Sequence, residues 1–274
     1  MFSASVIIAF YNNITALDTI LRALENQSNA GFEVVIADDG SCVDVQQWVE
    51  NRIKESHLDI QHITQEDIGF RKNRILNKAI SISRSDYLIF IDGDCIPQKY
   101  FVADHLENRE PQTILNGRRV DLPSEYKDKL LSAKKPEEFF TCNMVSILFK
   151  YLSGKGKNIE KGIRIKSPLL SKFLNRKRRG IVGCNFSLHK EDIISVNGFN
   201  NLYEVASIGE DTDIEYRLVK TGKKIKNIFF QANILHLVHP ELPRLSRAIE
   251  LFEETKANNE FIAKNGYNES FQQK

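Results

Sequence analysis

The chain has 274 residues, 42% of them hydrophobic, enough to bury a sizeable core as one large α/β domain or two small ones. No apolar run approaches the roughly 18 residues of a membrane span, and the start MFSASVIIAFYNN lacks a basic region and a small-residue cleavage site. Cys42, Cys95, Cys142 and Cys184 form no CxxC pair, so neither a zinc site nor a disulfide framework is indicated, and reduced thiols in the cytoplasm are expected.

Strand and helix alternate from the start. Residues 5–10 (SVIIAF) read as a buried strand, and Asn12 or Asn13 can cap a helix carrying Ile14, Leu17, Ile20, Leu21 and Leu24 at helical spacing. A strand over 32–37 ends on Asp38 and Asp39, a helix covers 43–53, and a third strand covers 60–64. A helix over 71–83 follows the loop QEDIGF, and the run YLIFI at 87–91 lacks polar alternation, as a strand buried on both faces does. This order predicts a right-handed, mainly parallel sheet. A helix near 98–108 and a strand near 113–118 come next, then helices over 122–131 and 136–151. Order returns with strands at 181–188, 225–230 and 232–237, an acidic helix start GEDTDIEYRL at 209–218 and a C-terminal helix over 243–264.

The residues suggestive of chemistry gather where strands end. Asp92 and Asp94 follow the 87–91 strand, separated by Gly93, at the carboxyl edge where open α/β sheets bind ligands. Two carboxylates about 5 Å apart repel by roughly 3 kcal/mol at an effective dielectric near 20, so a positive group should lie between them. A hard divalent cation, Mg2+ or Mn2+, carrying a substrate diphosphate meets that need. Arg71, Lys72, Arg74 and Lys78 crowd the start of a helix, where cations oppose the macrodipole. A diphosphate at the same sheet edge would account for them.

The motifs SVIIAFYNN, VVIADDGS, GFRKNRILN, YLIFIDGDCIP, GCNFSLHKEDIISVNGF and GEDTDIEYRL, in this order, resemble those of family 2 glycosyltransferases of the GT-A fold. The second half is similar to chondroitin polymerases and β-1,4-galactosyltransferases. The resemblance implies a single catalytic domain over 1–274, with a nucleotide-sugar half (1–120), a basic insertion (121–180), an acceptor half (181–240) and a C-terminal helical segment (241–274). It implies that Asp39 contacts a uracil, that Arg71 holds the nucleotide or its phosphates, and that Asp92, Gly93 and Asp94 face the donor with Asp94 as the direct metal ligand. It also makes Glu210 and Asp211 the paired acids of the acceptor site, with Asp211 the base, and His236 and His239 late metal ligands, a role for which imidazole suits Mn2+ better than Mg2+. The galactosyltransferases carry a tryptophan before the acidic motif, whereas Ser207 and Ile208 stand here, so donor preference does not transfer.

The implied activity is inverting transfer of a sugar from a nucleotide sugar, UDP-linked, to a glycan or lipid-linked acceptor in surface polysaccharide or lipopolysaccharide synthesis. Two alternatives stay open: a sugar-nucleotide nucleotidyltransferase, whose glycine-rich basic loop is replaced here by FYNN, and a non-catalytic binding subunit. The formal charge of +2 hides one further feature. Residues 150–179 hold eleven Lys or Arg and one acid, Glu160, leaving 27 basic against 35 acidic residues elsewhere. With Leu169, Leu170, Phe173 and Leu174 as an apolar stripe, this segment is expected to contact the anionic inner membrane face. Its aromatics are only Tyr151 and Phe173, which argues against nucleic acid.

Overall fold

The computed structural model describes residues 2–177, 179–205, 211–239 and 246–271. Its centre is a seven-stranded sheet. β1 (Ser5–Phe10), β2 (Glu33–Asp38), β3 (Asp59–Thr64) and β4 (Tyr87–Asp92) alternate with α1 (Ile14–Glu25), α2 (Val43–Glu55) and α3 (Lys72–Ile82). After β5 (Cys95–Pro97) and α4 (Phe101–Asn108) come β6 (Thr113–Asn116), β7 (Arg119–Asp121), α5 (Lys127–Leu131), α6 (Phe139–Leu152) and α7 (Pro168–Leu174). β8 (Asn185–His189), α8 (Lys190–Ser195), α9 (Asp211–Lys220), β9 (Lys224–Asn227), β10 (Ile234–His236) and α10 (Ser246–Ala257) complete the order. Strands lie as β3-β2-β1-β4-β8-β6-β9, with β8 antiparallel to both neighbours and the other four pairings parallel. The sheet is therefore mixed and mainly parallel, flanked by helices, as the GT-A resemblance implies.

Alternate residues of the central strands feed two core layers, as the period of an extended chain requires. Val6, Ile8, Val34, Ile36, Ile89 and Ile91 pack under α1, while Ile7, Val35, Leu88 and Phe90 pack under α3 and α9. Each fully buried aliphatic side chain contributes about 1.5–3 kcal/mol, so the unbroken apolar runs of β1, β2 and β4 fix the middle of the sheet. Asn13 caps α1, its Oδ1 accepting from the Ala16 N–H at 3.2 Å.

Beyond β4 the elements depart from expectation. The strand expected over 113–118 splits at Gly117: β6 stays in the main sheet, and β7 joins β5 and β10 in a second, three-stranded sheet. The expected 232–237 strand shortens to β10 and leaves the main sheet for this small one, where it is antiparallel to β5 and parallel to β7. Residues 181–184, expected as strand, form a turn, because the Glu215 and Asp211 carboxylates of α9 accept from the N–H groups of Ile181 and Gly183 and take them out of any ladder. The C-terminal helix ends at Ala257, and its expected start at 243–245 lies outside the described residues. No helix among the described residues is long and apolar enough to cross a membrane.

His105 of α4 is wholly buried between Ser187 Oγ, 2.8 Å from Nδ1, and Asn185 Oδ1, 3.1 Å from Nε2. Burial lowers its pKa from 6.5 to about 3, outweighing the bond to Asn185. Between those values the unfolded chain binds a proton that the native protein refuses, so the stability present above pH 6.5 is lost as pH falls. Denaturant unfolding at a series of pH values should show this group steepening the loss by up to about 1.4 kcal/mol per pH unit. A His105→Gln variant should lose that component; an identical pH slope in both proteins would contradict it.

Candidate active site

The strand order reverses at β1 and β4: β2 and β3 lie to one side and β8 to the other, which opens a crevice at the carboxyl ends. A cavity of about 470 Å³ occupies it, lined among others by Tyr11, Asp39, Lys72, Asp92, Gly93 and Asp94. Gly93 crosses the end of β1 so closely that a Cβ there would sit 2.7 Å from the Ala9 carbonyl oxygen. A side chain at this position would push Asp92 and Asp94 off the sheet edge.

The two aspartates find different partners. Asp92 Oδ1 accepts from Lys72 Nζ at 2.6 Å. Asp94 Oδ2 lies 3.3 Å from His236 Nε2 and 3.0 Å from His239 Nε2, so one carboxylate and two imidazoles meet at a point. Strand pairing creates this meeting: in the small sheet His236 stands opposite Cys95 on one side and Asp121 on the other. Asp121 Oδ1 accepts a hydrogen bond from His236 Nδ1–H at 2.8 Å, which leaves Nε2 facing Asp94. Nε2 is buried with no hydrogen-bond partner among the described residues, and His239 is half exposed at 51%. The set suits a divalent cation of the Mn2+ kind, with a hard oxygen, two borderline nitrogens and a carboxylate behind one imidazole.

Electrostatics reflect the same crowding. Burial would raise the Asp94 carboxyl, but His236, with smaller help from the Cys95 thiol and His239, holds it at about 2. Burial would likewise lower His236, yet its contacts with Asp121 and Asp94 raise it to about 9. Charge is concentrated here in both signs.

At the other end of the cavity Asp38 and Asp39 divide their tasks. Asp38 is fully buried and ties the turn, accepting from the Ser41 N–H and hydroxyl at 2.8 and 2.6 Å. Asp39 lines the cavity and accepts from Gln65 Nε2 at 2.6 Å and the Arg71 N–H at 2.9 Å. Burial still pushes its carboxyl upward. The Arg71 guanidinium bonds the Glu66 carbonyl, and its Nε is buried with no hydrogen-bond partner among the described residues. Lys72, the next residue, is the cation of this helix that lines the cavity and meets Asp92.

The acidic helix α9 closes the opposite side. Asp213 is buried in an ion pair with Arg217, 2.7 Å from Nη2, and Arg217 Nη1 donates to the Val196 and Gly198 carbonyls at 2.8 Å. Asp213 is thus an anchor, and Asp211 is held more loosely: Oδ1 accepts from the Thr212 N–H at 2.7 Å and Oδ2 from the Gly183 N–H at 3.3 Å. Glu210 lies outside the described residues. The buried Cys95 thiol donates to Asp94 Oδ1 at 3.2 Å, and buried Cys184, beside Gly183, acts on that thiol and helps to raise its pKa, so the Asp211 turn and the Asp94 cluster adjoin. Sequence reasoning missed Asp121 and Cys95. Lys72 was visible in the basic cluster, whereas Asp121 has no signal apart from the pairing of β7 with β10.

Residues 5–191 match the family described as Glycosyl transferase family 2, and residues 170–240 match the one described as N-terminal domain of galactosyltransferase. Chondroitin synthase of Pasteurella multocida is 35% identical over 228 residues, 80% of this chain and 23% of that protein. Chondroitin synthase of Escherichia coli is 25% identical over 233 residues, 82% of this chain and 33% of that protein. The chain therefore spans a quarter to a third of the length of these relatives. The crystal structure of GalNAc-T7 with UDP, GalNAc and Mn2+ superposes over 92% of this chain and 48% of that one, with a TM-score of 0.62 at 12% identity, a likeness of fold.

Asp121→Ala frees the His236 ring to turn, and Mn2+ affinity measured by isothermal titration should fall about 10- to 100-fold. Asp121→Asn, whose amide oxygen can still accept from Nδ1–H, should lose less. Equal affinities in all three proteins would show that Asp121 does not position the ring.

Proposed function

The chain belongs to glycosyl transferase family 2, and from that premise we propose that it transfers a sugar, with inversion, from a UDP-linked donor to a hydroxyl of a growing glycan or lipid-linked acceptor in surface polysaccharide synthesis. The observation that carries the reading is the convergence of Asp94, His236 and His239 beside a cavity that also reaches Asp39. That cavity, of about 470 Å³, brings the Asp39 and Asp92 carboxylates and the Lys72 ammonium to one apolar-walled space. Asp39 would take the imide N–H of the base, and Arg71 and Lys72 at the start of α3 would meet the phosphates through charge-assisted bonds.

A divalent cation held by Asp94, His236 and His239, with Asp92 beside it, would offset the diphosphate charge. Lys72, now paired with Asp92, is placed to add to that neutralisation. Asp211 would accept the proton of the acceptor hydroxyl as its oxygen attacks the anomeric carbon from the face opposite the departing diphosphate. The N–H groups of Gly183 and Thr212 hold this carboxylate in one orientation. Glu210 would stand next to it as the second acid of the motif.

Two substitutions separate binding from chemistry. Asp94→Ala should abolish the Mn2+-dependent rise in melting temperature on adding UDP and remove transfer; an unchanged rise would place the metal elsewhere. Asp211→Asn should keep UDP-sugar affinity within a few fold while transfer, followed by UDP release across a panel of UDP-sugars, falls by about 100-fold or more. Near-normal transfer in that variant would assign the base to another group.

A further inference from the structure

Residues 150–179 fall into two parts. In the first the cations are engaged by acids: Lys150 and Lys155 pair with Glu125 at 2.7 and 3.1 Å, and Arg164 grips buried Asp104 through Nε at 3.0 Å. From Lys166 onward the pattern changes. Among the described residues Lys166, Lys172, Arg176, Lys177 and Arg179 make no ion pair, and Arg176 lies instead over the Phe173 ring, 4.9 Å from its centroid. Four of them, Lys166, Lys172, Arg176 and Arg179, line one cavity of about 980 Å³. Its far wall is the edge strand β9, which adds Lys223, Lys224 and Lys226 against the acids Glu107 and Glu110. Lys226 takes Glu110 at 2.7 Å and Lys223 takes Asp192 at 2.6 Å, so most of the positive charge is left facing outward.

The same segment is apolar where a short surface helix is ordinarily polar. α7 leaves Leu169 85%, Phe173 60% and Leu170 46% exposed. A second exposed row, Val145, Phe149 and Leu152, runs along α6, but its neighbouring cation Lys150 is taken up by Glu125. Of these two helices, α7 is the one that joins bare apolar side chains to cations without an ion pair among the described residues. A polyanionic glycan would answer the cations and leave the leucines in water; an apolar protein partner would do the reverse. An anionic lipid surface answers both, with apolar side chains below the headgroups and lysines and arginines among the phosphates.

We propose that α7 and the rim of the adjoining cationic cavity are a docking face for an anionic membrane surface. Leu169, Leu170 and Phe173 enter the interface, and Lys166, Lys172, Arg176, Arg179 and Lys224 meet the lipid phosphates. The face adjoins α9, the helix that carries the proposed base: the Gly180 carbonyl, next to Arg179, accepts from Arg118 Nη2 at 2.9 Å, and the Ile181 N–H donates to Glu215 of α9 at 2.6 Å. An acceptor carried on a lipid would arrive there from the docked face.

The test is cosedimentation of the full chain, with no donor present, with vesicles of phosphatidylcholine alone or with about 30% phosphatidylglycerol. The intact chain should prefer the anionic vesicles by about 100-fold or more and be released by about 0.5 M NaCl. Each cation near the surface is worth roughly fivefold in partition, so Lys172→Ser/Arg176→Ser/Lys224→Ser should weaken binding about 100-fold. Leu169→Ser/Phe173→Ser should weaken it about tenfold or more at constant charge. Melting temperatures equal to that of the parent show that both variants are folded, since every altered side chain is on the surface. Equal partition onto the two vesicle types, or binding unchanged in either variant, overturns the proposal. Salt-sensitive binding of a soluble polyuronate with no vesicle binding overturns it too, and assigns the cavity to an acidic glycan.

Discussion

The register of one three-stranded sheet fixes the chemistry of this fold. β10 is only three residues long, yet its pairing sets His236 opposite both Cys95 and Asp121. A shift of one residue would turn His236 to the other face of the sheet and leave Asp94 without its imidazole. The main sheet could form unchanged after such a slip, because its core of β1, β2 and β4 does not depend on β10. Fold stability and site geometry are thus carried by different hydrogen-bond ladders.

A second constraint ties the N-terminal half to the C-terminal half. Asn77 of α3 is fully buried; its Nδ2 donates to the Phe199 carbonyl at 2.8 Å and its Oδ1 accepts from the Phe199 N–H at 2.9 Å. Gly198 makes this approach possible, since its φ is +66° and a Cβ would lie 2.3 Å from Asn77 Oδ1. The same turn receives Arg217 of α9 through the Val196 and Gly198 carbonyls. The helix that begins beneath the nucleotide cavity and the helix that carries Asp211 are fastened to one loop. Displacing either would move the candidate base relative to the donor site.

Much of this was legible in the sequence. The apolar runs of β1, β2 and β4 declare buried strands, and Asp39, Asp92 and Asp94 stand at their ends because polar residues begin where the core stops. His236 and His239 were legible as a pair through their spacing. What escaped depends on contacts between distant segments. The run at 113–118 reads as one strand because nothing local marks Gly117 as the point where the chain changes sheets. Residues 181–184 have strand propensity, but Glu215 and Asp211 capture their N–H groups, a tertiary effect that overrides it. Asp121 is one acid among many until β7 lies beside β10, and Asp213 looks as functional as Asp211 until Arg217 is seen to neutralise it.

The divalent ion proposed for Asp94, His236 and His239 is the point on which site and function meet. Electron spin-echo envelope modulation of Mn2+ bound to the intact chain reads it directly, because a coordinated imidazole nitrogen modulates the echo. The predicted result is coupling to two imidazole nitrogens that vanishes in a His236→Ala/His239→Ala variant. A bound Mn2+ that shows no nitrogen coupling and an identical spectrum in that variant would contradict it.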